Sequence, residues 1–118
     1  MFLRIRDATR DTVVADRCRV AESILQRIFG LHLLPRLESG EGLLLPGSTT
    51  IDTTFMRYSI DLVFVDRKGR VTKTVHDLRP WRMVLRTGGG QDCIELPAGT
   101  VVGSGVQAGD ELTFTPLS

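Results

Sequence analysis

Asparagine is absent from this 118-residue chain, so it offers no N-glycosylation acceptor, and tight turns fall to glycine and aspartate. Cysteine is nearly absent too: Cys18 and Cys93 stand far apart and outside any CxxC pair. That excludes a disulfide scaffold and leaves two thiols expected to be buried. The only imidazoles, His32 and His76, show neither HExxH nor clustered Cys/His spacing, so no metal is expected. No apolar run approaches the roughly 18 residues of a membrane-spanning helix. Arg4, Arg6 and Asp7 interrupt the first residues, MFLRIRDATR, where a secretory segment would be continuously apolar. The expectation is therefore a cytoplasmic protein. A net charge of +1, with no basic stripe interleaved with aromatics, gives no mandate for nucleic acid or anionic membrane. Lysine is scarce as well, since 13 of the 15 basic residues are arginine, the cation suited to bidentate contact with carboxylate or phosphate.

What is present is an ordinary globular mixture, 42% apolar and 25% charged, of a length that fills one core; a single domain over 1–118 is expected. Its centre is the stretch Phe55 to Val75. Ile60, Leu62 and Phe64 alternate with Asp61, Val63 and Val65, and apolar residues on both faces predict a central, doubly covered strand. Asp66-Arg67-Lys68-Gly69 supplies a tight turn, and Val71 to Val75 the partner strand. Further strands are predicted at Phe2 to Arg6, Thr12 to Ala15, Leu43 to Leu45, Met83 to Arg86, Cys93 to Leu96 and Glu111 to Thr115, with a strand or loop edge at Ser48 to Thr54. His76 to Arg82 reads as a polar loop, Gly88 to Gly90 as a flexible turn, and Val101 to Val106 as a poor helical turn. Asp16 has the chemistry of an N-cap, and Val20, Ala21, Ile24, Ile28 and Phe29 fall on one stripe at helical spacing. A helix over about 16–29, with Arg17 facing water and Gly30 as its stop, is therefore predicted. The sum is an α+β domain: one main amphipathic helix and a small, mostly antiparallel sheet curled like a β-barrel to hide its edges.

The order of short motifs resembles the domain of unknown function 192 family from Ala15 to Phe114. The resemblance rests on Gly30-Leu31, Gly40-Glu41-Gly42-Leu43, Phe55-Met56-Arg57 and Ile60 to Asp66 with Gly69. It rests also on Leu78-Arg79-Pro80-Trp81-Arg82, Glu95-Leu96-Pro97-Ala98-Gly99 and Gly109-Asp110. It implies a small, barrel-like mixed fold without an established activity, in a family many of whose members carry an export signal. Two positions depart from the family pattern. Asp52 stands where relatives often place His before the Thr, and His32 follows Gly30-Leu31 where many have Met.

Candidate functional residues gather in two stretches. Asp52, Met56, Arg57 and Asp61 surround one strand entry, where an arginine held by a carboxylate can receive an anion in a fixed fork. Arg79, Trp81 and Arg82 form the second group. An indole between two guanidiniums can stack on a flat ligand or grip a peptide carboxylate, and Pro80 lowers the ordering cost of binding. The plain structural alternatives are that Asp61 satisfies a buried backbone turn and that Trp81 plugs a barrel end. Ser104 lacks the GxSxG elbow and Gly88 to Gly90 lacks the Gly-Lys-Ser/Thr of a phosphate loop. These residue types favour a non-enzymatic binding or accessory module for a small anionic or planar ligand or a protein segment, without cofactor, as a monomer or weak homodimer. The alternative is a small hydrolase or isomerase using Asp52 and Asp61 as acid–base carboxylates.

Overall fold

A computed structural model describes residues 1–21, 36–48, 50–54, 56–85 and 92–117. Among them are nine strands, β1 (Phe2–Asp7), β2 (Thr12–Val20), β3 (Glu41–Pro46), β4 (Thr50–Asp52), β5 (Ile60–Val65), β6 (Val71–Leu78), β7 (Met83–Leu85), β8 (Asp92–Pro97) and β9 (Leu112–Pro116). One short helix, α1 (Thr100–Ser104), lies between β8 and β9. Seven strands form a sheet in the order β6-β5-β8-β3-β2-β1-β9, while β4 and β7 pair as a separate ribbon. Every neighbouring pair in the large sheet is antiparallel except β2 and β3.

The sheet curls until its two outermost strands approach each other. Arg70 and Glu111 form an isolated bridge, Val71 N–H donates to the Asp110 carbonyl at 2.8 Å, and Leu112 N–H donates to the Gly69 carbonyl at 2.9 Å. The meeting is confined to one end, so the shape is a half-barrel rather than a closed barrel. Gly69 is where the seam tolerates no side chain: its φ is +83°, and a Cβ would stand 2.8 Å from the Leu112 carbonyl oxygen.

Strand alternation divides the core in two. Val63 and Val65 of β5 join Ile94 and Leu96 of β8, Leu44 and Val101 on the concave side. Ile60, Leu62 and Phe64 pack with Leu43, Leu45, Ile51 and Met56 on the convex side. All six residues of β5 are buried, as its two-faced pattern predicts. The β4–β7 ribbon lies over the convex core, contributing the register partners Ile51 and Val84, and α1 sits against the concave core through Val101.

Two expectations need correction. Asp16 does not cap a helix, because Asp16 to Val20 continue β2. Cys18 is buried between exposed Arg17 and Arg19, a period of two that hides behind the helical stripe. Here β2 pairs on both sides, Leu3 with Cys18 and Arg19 with Leu43, so tertiary pairing satisfies the backbone and overrides local propensity. The rest of the predicted helix, with Gly30 and His32, lies outside the described residues, as does the Gly88 to Gly90 turn. The polar loop is shorter than expected, since His76 to Leu78 extend β6 and Leu78 is buried. The fold is thus sheet-dominated, and the helix seen among the described residues is the short one after β8.

Candidate functional site

Thr53, just past β4, organises the loop that carries the lone tryptophan. Its buried hydroxyl accepts the Arg82 N–H at 2.8 Å and shares its proton between the carbonyls of Arg79 at 2.8 Å and Arg82 at 3.1 Å. Its own N–H donates to the Arg82 carbonyl at 2.8 Å, and its carbonyl accepts from Met56 and Trp81, each at 3.0 Å. A residue at the end of a three-residue strand therefore fixes the backbone of Arg79 to Arg82. Trp81 sits within that clamp at φ +64° with its side chain outward, 59% exposed. A bulky residue rarely adopts this conformation. Trp81 is not a buried plug; its indole is displayed, with exposed Arg79 and Arg82 on either side and exposed Met83 beyond.

The strand-entry group separates on inspection. Met56 is buried in the convex core, whereas Arg57 is exposed. Asp52 is exposed, lies opposite Met83 in the ribbon, and accepts the Thr54 N–H at 2.8 Å. Asp61 is fully buried. One of its oxygens accepts Asp77 N–H at 2.8 Å, and the other accepts Gly99 N–H at 3.1 Å and Val101 N–H at 2.8 Å. It ties β5 to β6 and caps the start of α1 from across the fold, the work a buried carboxylate performs when both oxygens are hydrogen-bonded. No arrangement here turns Asp61 toward a substrate.

Several functional-type groupings escaped the sequence reading. Arg17 and Arg19, read as helix surface and unassigned cation, project from one face of β2 beside Phe2. The alternation Arg17-Cys18-Arg19-Val20 was the available signal. Gly40 and Pro97-Ala98-Gly99, from two of the family-type motifs, meet at an open cleft of about 800 Å³ also lined by Asp16, Arg36 and Ser104. Asp7 and Asp110 form a buried pair at the sheet seam. Burial and the neighbouring Asp110 push the Asp7 carboxyl up. For Asp110, burial works upward, but hydrogen bonds with Asp7, Arg10 and the Gln107 N–H outweigh it and hold the carboxyl low. Arg10 Nε lies 2.8 Å from Asp110 Oδ2. Both thiols are buried, and burial pushes Cys18 up to about 12 and Cys93 well above the ordinary thiol range, so neither is a poised nucleophile. Among the described residues, no group of three or more His, Cys, Asp or Glu is placed to hold a metal ion, and no helix is long and apolar enough to cross a membrane.

These features define a class of small domain, a curled mixed sheet that buries its carboxylates at seams and displays arginine and aromatic side chains. The chain belongs to the domain of unknown function 192 (DUF192) family, described as Uncharacterized ACR, which it matches over residues 5–114. It is 31% identical over 110 residues to a UPF0127 protein of Thermococcus sibiricus, covering 90% of this chain and 71% of that one. A UPF0127 protein of Thermococcus kodakarensis is 29% identical over 106 residues, covering 85% and 66% respectively. A crystal structure of a protein of unknown function from Novosphingobium aromaticivorans aligns with a TM-score of 0.78 at 18% identity, over 96% of this chain and 84% of that one. Another, of a candidate transcription regulator from Sinorhizobium meliloti, aligns with a TM-score of 0.80 at 22% identity, over 96% and 92%. At such identities the likeness establishes the fold alone.

Proposed function

We propose that this protein is a non-enzymatic binding or accessory module whose recognition surface is the Arg79-Pro80-Trp81-Arg82 loop, with Asp52 and Arg57 at its margin. One observation carries the reading: Trp81 is both exposed and held in a left-handed conformation by the Thr53 clamp. Such backbone strain costs on the order of 1–3 kcal/mol and persists where the surroundings over-determine it, commonly at binding sites. Displaying an indole at that cost makes sense when the indole meets something. Trp81 and Met83 form an apolar centre with arginines beside it, the composition of a protein-recognition patch. The ligand class is an anionic or planar group, best matched by a protein segment that places a carboxylate beside a flat or apolar side chain.

Trp81 is the only tryptophan, so its fluorescence reports the site directly. Titration with short synthetic peptides, acidic with and without an aromatic residue, should give a saturable spectral shift for the acidic aromatic set. Pull-downs and small-molecule binding shifts should then weaken together in Trp81→Ala and Arg57→Ala. Binding that survives both substitutions unchanged would remove the proposal. Trp81→Gly separates folding from recognition: lacking a Cβ it relieves the left-handed strain, so it should be more stable than Trp81→Ala by about 1 kcal/mol while binding equally poorly.

A further inference from the structure

A second concentration of arginine lies away from the tryptophan loop. Phe2, Arg17, Arg19, Arg36, Glu41 and Gly42 line a pocket of about 170 Å³. Arg17 and Arg19 flank one ring, with their guanidinium carbons 3.8 Å and 5.1 Å from the Phe2 centroid. Arg36 stands 4.9 Å from the centroid of Tyr58. Ring contacts of this kind orient the guanidinium plane while leaving its N–H edges available. Arg17 and Glu41 are register partners, yet Glu41 Oε1 accepts the Glu38 N–H at 2.8 Å. None of the three arginines forms an ion pair with another described residue.

We propose that this pocket binds the phosphate group of a small phosphate monoester. Three guanidiniums against one carboxylate leave a local excess of two positive charges. A phosphate monoester carries about −1.5 to −2 at neutral pH, while a carboxylate would leave half of that excess unmatched. The volume suits an anionic headgroup: it leaves room for one oxyanion with ordered water beside it. The neighbouring 800 Å³ cleft shares Arg36 and Leu37 with the pocket, and gives the remainder of such a ligand somewhere to lie. The site is separate from the tryptophan loop and stands or falls independently of it.

The test is an NMR titration of the ¹⁵N-labelled full chain, following arginine Nε–H signals and the backbone amides of Arg17, Arg19, Glu41 and Gly42. The probes are glycerol 2-phosphate and, as the monocarboxylate control, acetate at matched ionic strength. Glycerol 2-phosphate should give saturable shifts confined to those signals, with affinity about tenfold above acetate and a tenfold loss in Arg17→Gln or Arg36→Gln. Arg67→Gln, on the turn before Gly69 and outside the pocket's lining, should bind as the wild type does. Affinity should also fall between about pH 7.5 and pH 5, as the probe's second ionisation, near 6, reverses. Equal affinity for acetate, unsaturable shifts spread over all arginines, or unaltered binding in both pocket variants would each overturn the assignment. Sedimentation with phosphatidic acid vesicles separates the sources of phosphate. Binding to vesicles without binding to glycerol 2-phosphate would overturn the small-molecule claim.

Discussion

Replacing Thr53 by valine keeps the shape of the side chain and deletes only its hydroxyl, which isolates the clamp on the tryptophan loop. Three backbone contacts survive the change: Thr53 N–H to Arg82, and Met56 and Trp81 N–H to the Thr53 carbonyl. Lost are the acceptor for the Arg82 N–H at 2.8 Å and the donor to the Arg79 carbonyl at 2.8 Å. An orphaned buried polar group costs about 1–3 kcal/mol, but these two sit in a partly buried loop where water can replace part of the loss. A total of about 1–3 kcal/mol is therefore expected, not twice that. For a domain of this length it corresponds to a fall in Tm of about 4–12 °C. Thr53→Ser retains the hydroxyl and forfeits one methyl group, about 1 kcal/mol at a site buried this well. Stability alone would distinguish the two only modestly; the sharper readout is the fluorescence anisotropy and acrylamide quenching of Trp81. Valine should loosen the indole and serine should not. If Thr53→Val leaves both denaturation midpoint and anisotropy at wild-type values, the hydroxyl does not hold the loop, and the rationale for a preorganised Trp81 fails with it.

Other perturbations test the frame around that loop. Phe64 is fully buried on the convex side of β5, and Phe64→Ala should cost about 3–5 kcal/mol by urea denaturation; a loss below about 1 kcal/mol would mean the strand is not central. Asp61→Asn places an amide N–H₂ against a backbone donor on one side or the other. It should cost about 1–3 kcal/mol and speed amide exchange at Asp77 or at Gly99 and Val101, whereas unchanged exchange would refute the capping role. Asp7→Asn can still accept the Thr9 and Arg10 N–H groups and can donate to Asp110 with no proton to lose. Asp7 is raised in the folded state, so its contribution is full below the unfolded carboxylate value near 3.9 and is lost as pH rises through the folded value. The advantage of the Asn variant should accordingly grow with pH above about 4 in denaturant midpoints taken across the range, and an advantage that shrinks would contradict the upward push on Asp7.

What could be read from the residues alone follows the range over which each interaction acts. The alternation of Ile60 to Val65 and the turn at Asp66 to Gly69 are local signals, and the strand, its two buried faces and its hairpin match them. β2 was readable only to Ala15, because the polar-apolar order of Asp16 to Ala21 fits a helical stripe as well as an alternating strand. The arbiter is β3, more than twenty residues on, which supplies a parallel partner. Asp61 showed as a carboxylate in a buried run, but its partners lie 16 to 40 residues away in β6 and α1. Thr53 showed only as the threonine after Asp52 in the family pattern; its clamping role depends on carbonyls brought to it from 26 and 29 residues further along. The Trp-Arg loop could be named from composition, yet whether its indole faced in or out depended on a positive φ at a non-glycine residue, which local sequence does not encode.

The net charge of +1 conceals how that charge is distributed. Asp7, Asp61, Glu95 and Asp110 are buried, and the hydrogen bonds of Asp7, Asp61 and Asp110 fasten turns, a helix start and the sheet seam. No described arginine is buried. Asp7, Asp61 and Asp110 are thus withdrawn from the surface to satisfy backbone donors that a curled, bulged sheet leaves unpaired. Of these, Asp110 still meets the Arg10 guanidinium, while Asp7 and Asp61 turn to backbone N–H groups. The fold's demand for buried acceptors therefore generates a cationic exterior from a nearly neutral composition. Arginine, held against Phe2, Tyr58 or the backbone of a clamped loop, turns that excess into oriented contacts instead of diffuse attraction. The two proposed sites for an anionic group, one at each arginine cluster, rest on how this sheet closes.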